Sequence, residues 1–137
     1  ICTALQLINF WQDLGVDTRR GRLYVPEADC AARGLRGEQV LSGTDSPAVR
    51  ALVRQQCDWA CALMIEGAPL VHRVPGRAGW ELRLVVQGGL RILDRIASLD
   101  HATLTHRPAL RATDALVMLW RALRMRPAPR ALAGSAA

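Results

Sequence analysis

Lysine is absent from this chain of 137 residues: all 18 basic side chains are arginine. With abundant Ala and Gly beside it, that bias reflects codon usage in a GC-rich genome rather than selection for arginine. The net charge of +6 would suit nucleic acid or an anionic membrane. Nucleic-acid binders cluster their basic residues or interleave them with aromatics. Here the arginines are scattered, apart from Arg19, Arg20 and Arg22, so no nucleic acid is expected. Peripheral contact with a membrane stays open. No run reaches the roughly 20 apolar residues of a membrane span, and no signal peptide is visible from Ile1 onward.

Other absences narrow the classes further. Cys2, Cys30, Cys57 and Cys61 form no C-x-x-C pair. Cys57 and Cys61 are at i, i+4, but no suitably spaced histidine accompanies them, so zinc is not expected. Free cysteines of this kind are small core residues in a reduced, intracellular setting. His72, His101 and His106 fall near expected helix ends or in loops. Without an acidic or nucleophilic partner in sequence, they read as surface or capping residues. Strand-period alternation, internal repeats and a Gly-rich nucleotide fingerprint are all missing, and the fold is expected to be all-α.

Punctuation marks out the helices. The first runs to about Asp17, followed by a loop over Thr18–Val25. Pro26 starts a short helix closed by Gly34. GLRGEQVLSGTDS reads as linker, with one turn at Glu38–Leu41. Ser46-Pro47 is an N-cap with Pro at the first helical position, opening a helix to about Val71. Its apolar positions include Val49, Leu52, Val53, Met64 and Ile65, and Pro69 kinks or ends it. After Pro75-Gly76, a helix over about Ala78–Leu99 turns Leu82, Val85, Val86, Leu90, Leu93 and Ile96 inward. Gly88 and Gly89 in its middle imply close approach of a helix or a ligand, since each costs roughly 1 kcal/mol against Ala. A last helix covers about Arg111–Arg124, and residues 127–137 are expected to be a disordered tail.

The chemistry is concentrated at the start. Gln6, Asn9, Asp13 and Asp17 are spaced 3, 4 and 4 apart, which stacks them on one helical stripe. Leu5, Leu7, Ile8, Phe10, Trp11 and Leu14 surround that stripe, as on a buried helix. Two carboxylates at i, i+4 repel, and burial raises the cost of unpaired charge. A cation is therefore expected opposite them, and Mg²⁺ suits carboxylate and amide oxygens best. The plainer alternative is a solvated helix end. Arg19, Arg20 and Arg22 follow at once, with Gly21 allowing a turn, and arginine forks match phosphate oxygens. The combination suggests a diphosphate bound through magnesium.

These residues resemble the second aspartate-rich motif of the squalene and phytoene synthases, Q-x-x-N-x-x-x-D-x-x-x-D followed by Arg and Tyr. Gln6, Asn9, Asp13, Asp17, Arg22 and Tyr24 match it at every spacing. Many members have Arg where this chain has Gln12, and the wording N-F-W-Q-D is similar to the bacterial hopanoid-pathway branch, the hydroxysqualene synthase type. The likeness continues through GWELRLVVQGGLRILDRI and ALRATDALVMLWRAL. A second departure is Gly89, where relatives often carry a tyrosine; its absence is expected to leave the cavity roomier.

The resemblance implies an isoprenoid-synthase helical bundle of which residues 1–126 are the C-terminal half. An earlier aspartate-rich motif would lie upstream, so Phe10, Trp11 and Leu14 are expected to lack partners in this chain alone. Asp13, Asp17 and Asn9 would hold Mg²⁺ against a prenyl diphosphate, presqualene or farnesyl diphosphate. Arg22, with Arg19 or Arg20, would neutralise phosphate charge. Gln6 would orient a phosphate or water. Tyr24 would bond the leaving group or lie over the cation, which makes Asp13, Asp17 and Tyr24 the catalytic candidates. The implied reaction is ionisation of presqualene diphosphate to hydroxysqualene, in a bacterial cytoplasm or at its membrane. The alternatives are condensation of two prenyl diphosphates to presqualene diphosphate, squalene or a phytoene-like product, and a non-catalytic helical fragment or scaffold.

Overall fold

The computed structural model describes residues 1–126, so the proposed disordered tail lies outside the described residues. Seven α-helices follow in order: α1 Cys2–Gln12, α2 Leu14–Thr18, α3 Glu27–Ala31, α4 Gly37–Leu41, α5 Pro47–Gly67, α6 Gly76–Ser98 and α7 Ala112–Arg124. A 3-10 turn over Ala68–His72 joins α5 to α6, and no strand occurs among the described residues. The all-α expectation holds.

The helix ends follow from their residues. Ser46 Oγ accepts the Val49 N–H at 3.3 Å and Pro47 occupies the first turn of α5. The expected single helix up to Val71 instead tightens after Gly67, because Pro69 has no N–H for the α pattern. Gly34, at φ +68°, closes α3: Leu35 N–H reaches Cys30 O and Gly34 N–H reaches Ala31 O.

α1, α5 and α6 pack together, and α7 lies on α6. The core runs through Ile8, Trp11, Leu52, Val53, Met64, Val86 and Ile96, each at most 2 % exposed. Gly89 sets the crossing. A Cβ there would lie 2.8 Å from Met64 Cε and 3.0 Å from Leu5 Cδ2. These are side-chain tips of α5 and α1, so Gly89 lets the helices approach closely, and it also lines an apolar groove beside them.

Three further expectations change. Trp11 and Leu14 are buried and Phe10 packs against the core, so they do not lack partners: α1 lies along α5, and Tyr24 stacks on Phe10. Val85 is exposed rather than inward, and Ile65, apolar in the period of α5, is exposed too. Periodicity assigns both to the rim of an apolar face, and no element among the described residues covers that rim. His101 is buried rather than on the surface and meets the capping alternative: in a left-handed turn after α6 its N–H donates to Ile96 O at 3.0 Å.

Candidate active site

Asp13 stands at the junction of α1 and α2 with φ −98° and ψ 8°, where the helix is briefly interrupted. Its carbonyl still accepts the Asp17 N–H at 2.9 Å, so the two carboxylates remain one turn apart on the same side. Gln6 and Asn9 continue the stripe along α1. Gln6 and Asn9 are exposed, and Asp13 and Asp17 are half-buried. The stripe is therefore open to solvent here, not enclosed as the apolar surround suggested.

The interruption has a cause. Gly15 N–H donates to Thr103 O at 3.2 Å instead of continuing the ladder. A Cβ on Gly15 would sit 2.2 Å from Leu104 O, so only glycine admits the segment after α6 this close. The same segment is held by Gln12, whose Nε2 donates to Pro108 O at 2.8 Å. It delivers Arg107, whose Nε lies 2.6 Å from Asp13 Oδ1. The Asp13 carboxylate holds the Arg107 guanidinium even more firmly in its charged form. A cation does face the stripe, and it belongs to the chain.

Arg107 is the residue against this stripe that the sequence did not disclose. It lies 94 positions from Asp13 in a stretch without a motif. Gly15 did carry a signal, since a glycine inside a helical pattern is costly unless something approaches closely.

Past Asp17 the chain turns back sharply. Arg22 N–H reaches Asp17 O and Gly21 N–H reaches Thr18 O, both at 2.9 Å, with Gly21 at φ +70°. This left-handed cap keeps Arg19, Arg20 and Arg22 beside the acidic stripe, and all three are exposed. Tyr24 then stacks on Phe10, ring centroids 4.1 Å apart and planes 10° apart, which ties the strap to α1 next to Asn9. Leu5, Ile8, Val85 and Ile92 wall a groove of about 280 Å³ beside the stripe, with Gly88 and Gly89 also in its lining and Asn9 and Gln12 at its polar side.

These donors suit a hard divalent cation. Asp13, Asp17 and Asn9 offer only oxygen, and no cluster of three His, Cys, Asp or Glu side chains occurs among the described residues. A cation held by two carboxylates and an amide keeps coordination places for phosphate oxygens and water, which is how Mg²⁺ is commonly bound. The cysteines play no part: burial, with Asp58 nearby, pushes the Cys57 thiol up to about 12.

Comparison with known proteins identifies the family. Residues 1–114 match the squalene/phytoene synthase family model. The chain is 35% identical over 117 residues to phytoene synthase of Thermus thermophilus, covering 85% of this chain and 40% of that protein. It is 30% identical over 104 residues to chloroplastic phytoene synthase 2 of Solanum lycopersicum, covering 76% of this chain and 34% of that one. The crystal structure of squalene synthase HpnC from Alicyclobacillus acidocaldarius superposes with a TM-score of 0.70 at 36% identity, over 73% of this chain and 38% of that chain. The chain thus spans about a third to two fifths of the length of these relatives.

Proposed function

Because this chain belongs to the squalene/phytoene synthase family, we propose that it forms the C-terminal half of an isoprenoid-synthase domain that ionises a prenyl diphosphate with Mg²⁺. The observation that carries this reading is the pairing of Asp13 with Arg107 on a stripe whose Asn9, with Gln12, lines an apolar groove. A carboxylate pair able to hold a cation, arginines able to hold phosphate and a hydrocarbon-lined groove are the three parts such a substrate needs.

Asp13, Asp17 and Asn9 would hold Mg²⁺, which when bound supplies Lewis-acid neutralisation of the leaving diphosphate. Arg107, paired with Asp13, would turn its guanidinium to the phosphate oxygens of a bound substrate. Arg22, aided by Arg19 or Arg20, adds donors as negative charge grows on the departing group. Gln6 orients a phosphate or a water. Tyr24, stacked on Phe10 through one face, would present its hydroxyl to the leaving group or its other face to the cation. The groove excludes bulk water from the hydrocarbon chain.

The preferred reaction is conversion of presqualene diphosphate to hydroxysqualene in a bacterial cytoplasm, supported by Gln12 within N-F-W-Q-D. An amide there bonds Pro108 O without adding a cation beside Asp13. Condensation of two prenyl diphosphates is the second reading, favoured by the likeness to phytoene synthases. Product analysis of the full-length protein decides between them. Hydroxysqualene from presqualene diphosphate and Mg²⁺ without reductant is the expected result. Conversion of farnesyl diphosphate to a longer diphosphate or hydrocarbon would move the protein to the condensing branch. Silence with both would overturn the enzymatic reading.

A further inference from the structure

Between α6 and α7 the chain runs against α1 and α2 as a strap, buried at its ends and exposed in its middle. Ala102, Thr103 and Leu104 are at most 5 % exposed and Pro108 is buried, whereas Thr105, His106 and Arg107 are exposed. Two pins hold it. Gly15 N–H donates to Thr103 O at 3.2 Å, and Gln12 Nε2 donates to Pro108 O at 2.8 Å. Between His106 and Arg111, the bond from Gln12 is the one hydrogen bond to the strap's backbone among the described residues.

The pins, rather than the ion pair, place Arg107. Its side chain is 54 % exposed. An ion pair in that setting contributes little, and it must offset the freedom a long side chain loses. A contact of 2.6 Å to Asp13 therefore needs a backbone that is already fixed. Gln12 fixes it one residue past Arg107, from the last position of α1. Gln12 grips Pro108 and Asp13 grips Arg107, so two neighbours on the motif meet two neighbours on the strap in antiparallel order. Gln12 also lines the apolar groove, which makes direct contact with a substrate the rival role for this side chain.

We infer that Gln12 is a positioning residue: its amide fixes the backbone beside Arg107 and so aims the guanidinium at Asp13 and, with substrate bound, at the departing phosphate oxygens. The second half of this inference rests on the role proposed above for Arg107. The first half rests on the strap alone.

The test is Gln12→Met in the full-length protein, which keeps an unbranched, helix-favouring side chain and removes the donor. Two readouts separate the two halves. The Arg107 Nε–H resonance, assigned by its loss in Arg107→Gln, should stand apart from those of solvated arginines in wild type. In Gln12→Met it should move among them, with helical circular dichroism unchanged. In turnover of presqualene and farnesyl diphosphates with Mg²⁺, Gln12→Met should lower kcat at least about tenfold, as expected when a reacting group is misplaced. KM should stay within about twofold. Gln12→Met combined with Arg107→Gln should be no slower than Arg107→Gln alone, because nothing is left to position. An Arg107 resonance that stays in place in Gln12→Met would overturn the inference. So would a raised KM or losses that multiply in the double variant, which would make Gln12 a direct substrate contact. If wild type turns over neither substrate while the resonance moves as expected, the proposed function fails and the positioning of Arg107 by Gln12 stands.

Discussion

Asp13 has two competing partners, and the competition can be measured. In the structure Arg107 neutralises it across 2.6 Å; in the proposed cycle a metal does so while Arg107 turns to phosphate. Arg107→Gln should therefore lower kcat of the full-length protein by about 10²-fold, the usual loss on removing one donor to developing charge. Its apparent affinity for Mg²⁺ should not fall, because a competitor for Asp13 has gone. A parallel loss of Mg²⁺ affinity in a magnesium titration would instead make Arg107 a support for the metal site. Gly15 gives a second residue-level outcome. Alanine ordinarily favours a helix, yet Gly15→Ala should destabilise the chain by about 1–3 kcal/mol, the range for overpacking against fixed backbone, as read from urea melts. An unchanged or raised midpoint would mean that the Leu104 carbonyl does not sit where described. The stripe of Gln6, Asn9, Asp13 and Asp17 was legible because helical spacing is local. Arg107 was not, because only the path of the chain after α6 brings it to Asp13.

Asp114 decides how α7 is docked. Its carboxylate accepts the Arg111 backbone N–H at 2.6 Å, Arg95 at 2.7 Å and Arg91 at 2.7 Å while almost wholly shielded from solvent. These donors, the Arg111 N–H first, hold it well below the usual carboxylate range. A folded-state pKa below the unfolded one stabilises fully above the unfolded value, about 3.9, and the benefit disappears as pH falls below it. The Tm difference between wild type and Asp114→Asn should stay constant from neutral pH to about 5 and narrow below about 4. A difference independent of pH would remove the carboxylate from this role. The end of α6 offers a further case. Asp100 and His101 both adopt positive φ, 50° and 61°, and Asp100 occupies the place where glycine usually caps a helix. Arg50 bonds Asp100 at 2.8 Å, and this bond holds the carboxyl below its usual range. Asp100→Gly should raise Tm at high salt, where the exposed ion pair is screened and the relieved backbone remains; a lower Tm in high salt would contradict this.

Helix boundaries were readable wherever a residue type has one physical use, as at Ser46-Pro47, Gly34 and Pro75-Gly76. The break at Asp13 was not, because it arises from a carbonyl arriving from Thr103. Periodicity also misplaced Val85: it finds an apolar face and cannot say whether another element covers it.

At the scale of the molecule, the fold is the all-α fold of the squalene and phytoene synthases, and the chain spans about a third to two fifths of its relatives' length. Its own core is continuous from Trp11 to Ile96, and the acidic stripe and apolar groove lie open beside it. The family resemblance was legible from six residues near the start because diphosphate chemistry constrains both residue type and spacing. The solvent-open state of that stripe was not, because an apolar surround is also what a half-covered helix presents. The account places both carboxylates in the metal-diphosphate contact. The most direct test is turnover of presqualene and farnesyl diphosphates by the full-length protein across a Mg²⁺ titration, beside Asp13→Ala and Asp17→Ala. Loss of at least about 10²-fold in kcat/KM for either variant, with wild-type folding by circular dichroism, is the predicted result. Wild-type turnover by both variants at limiting Mg²⁺ would contradict the account.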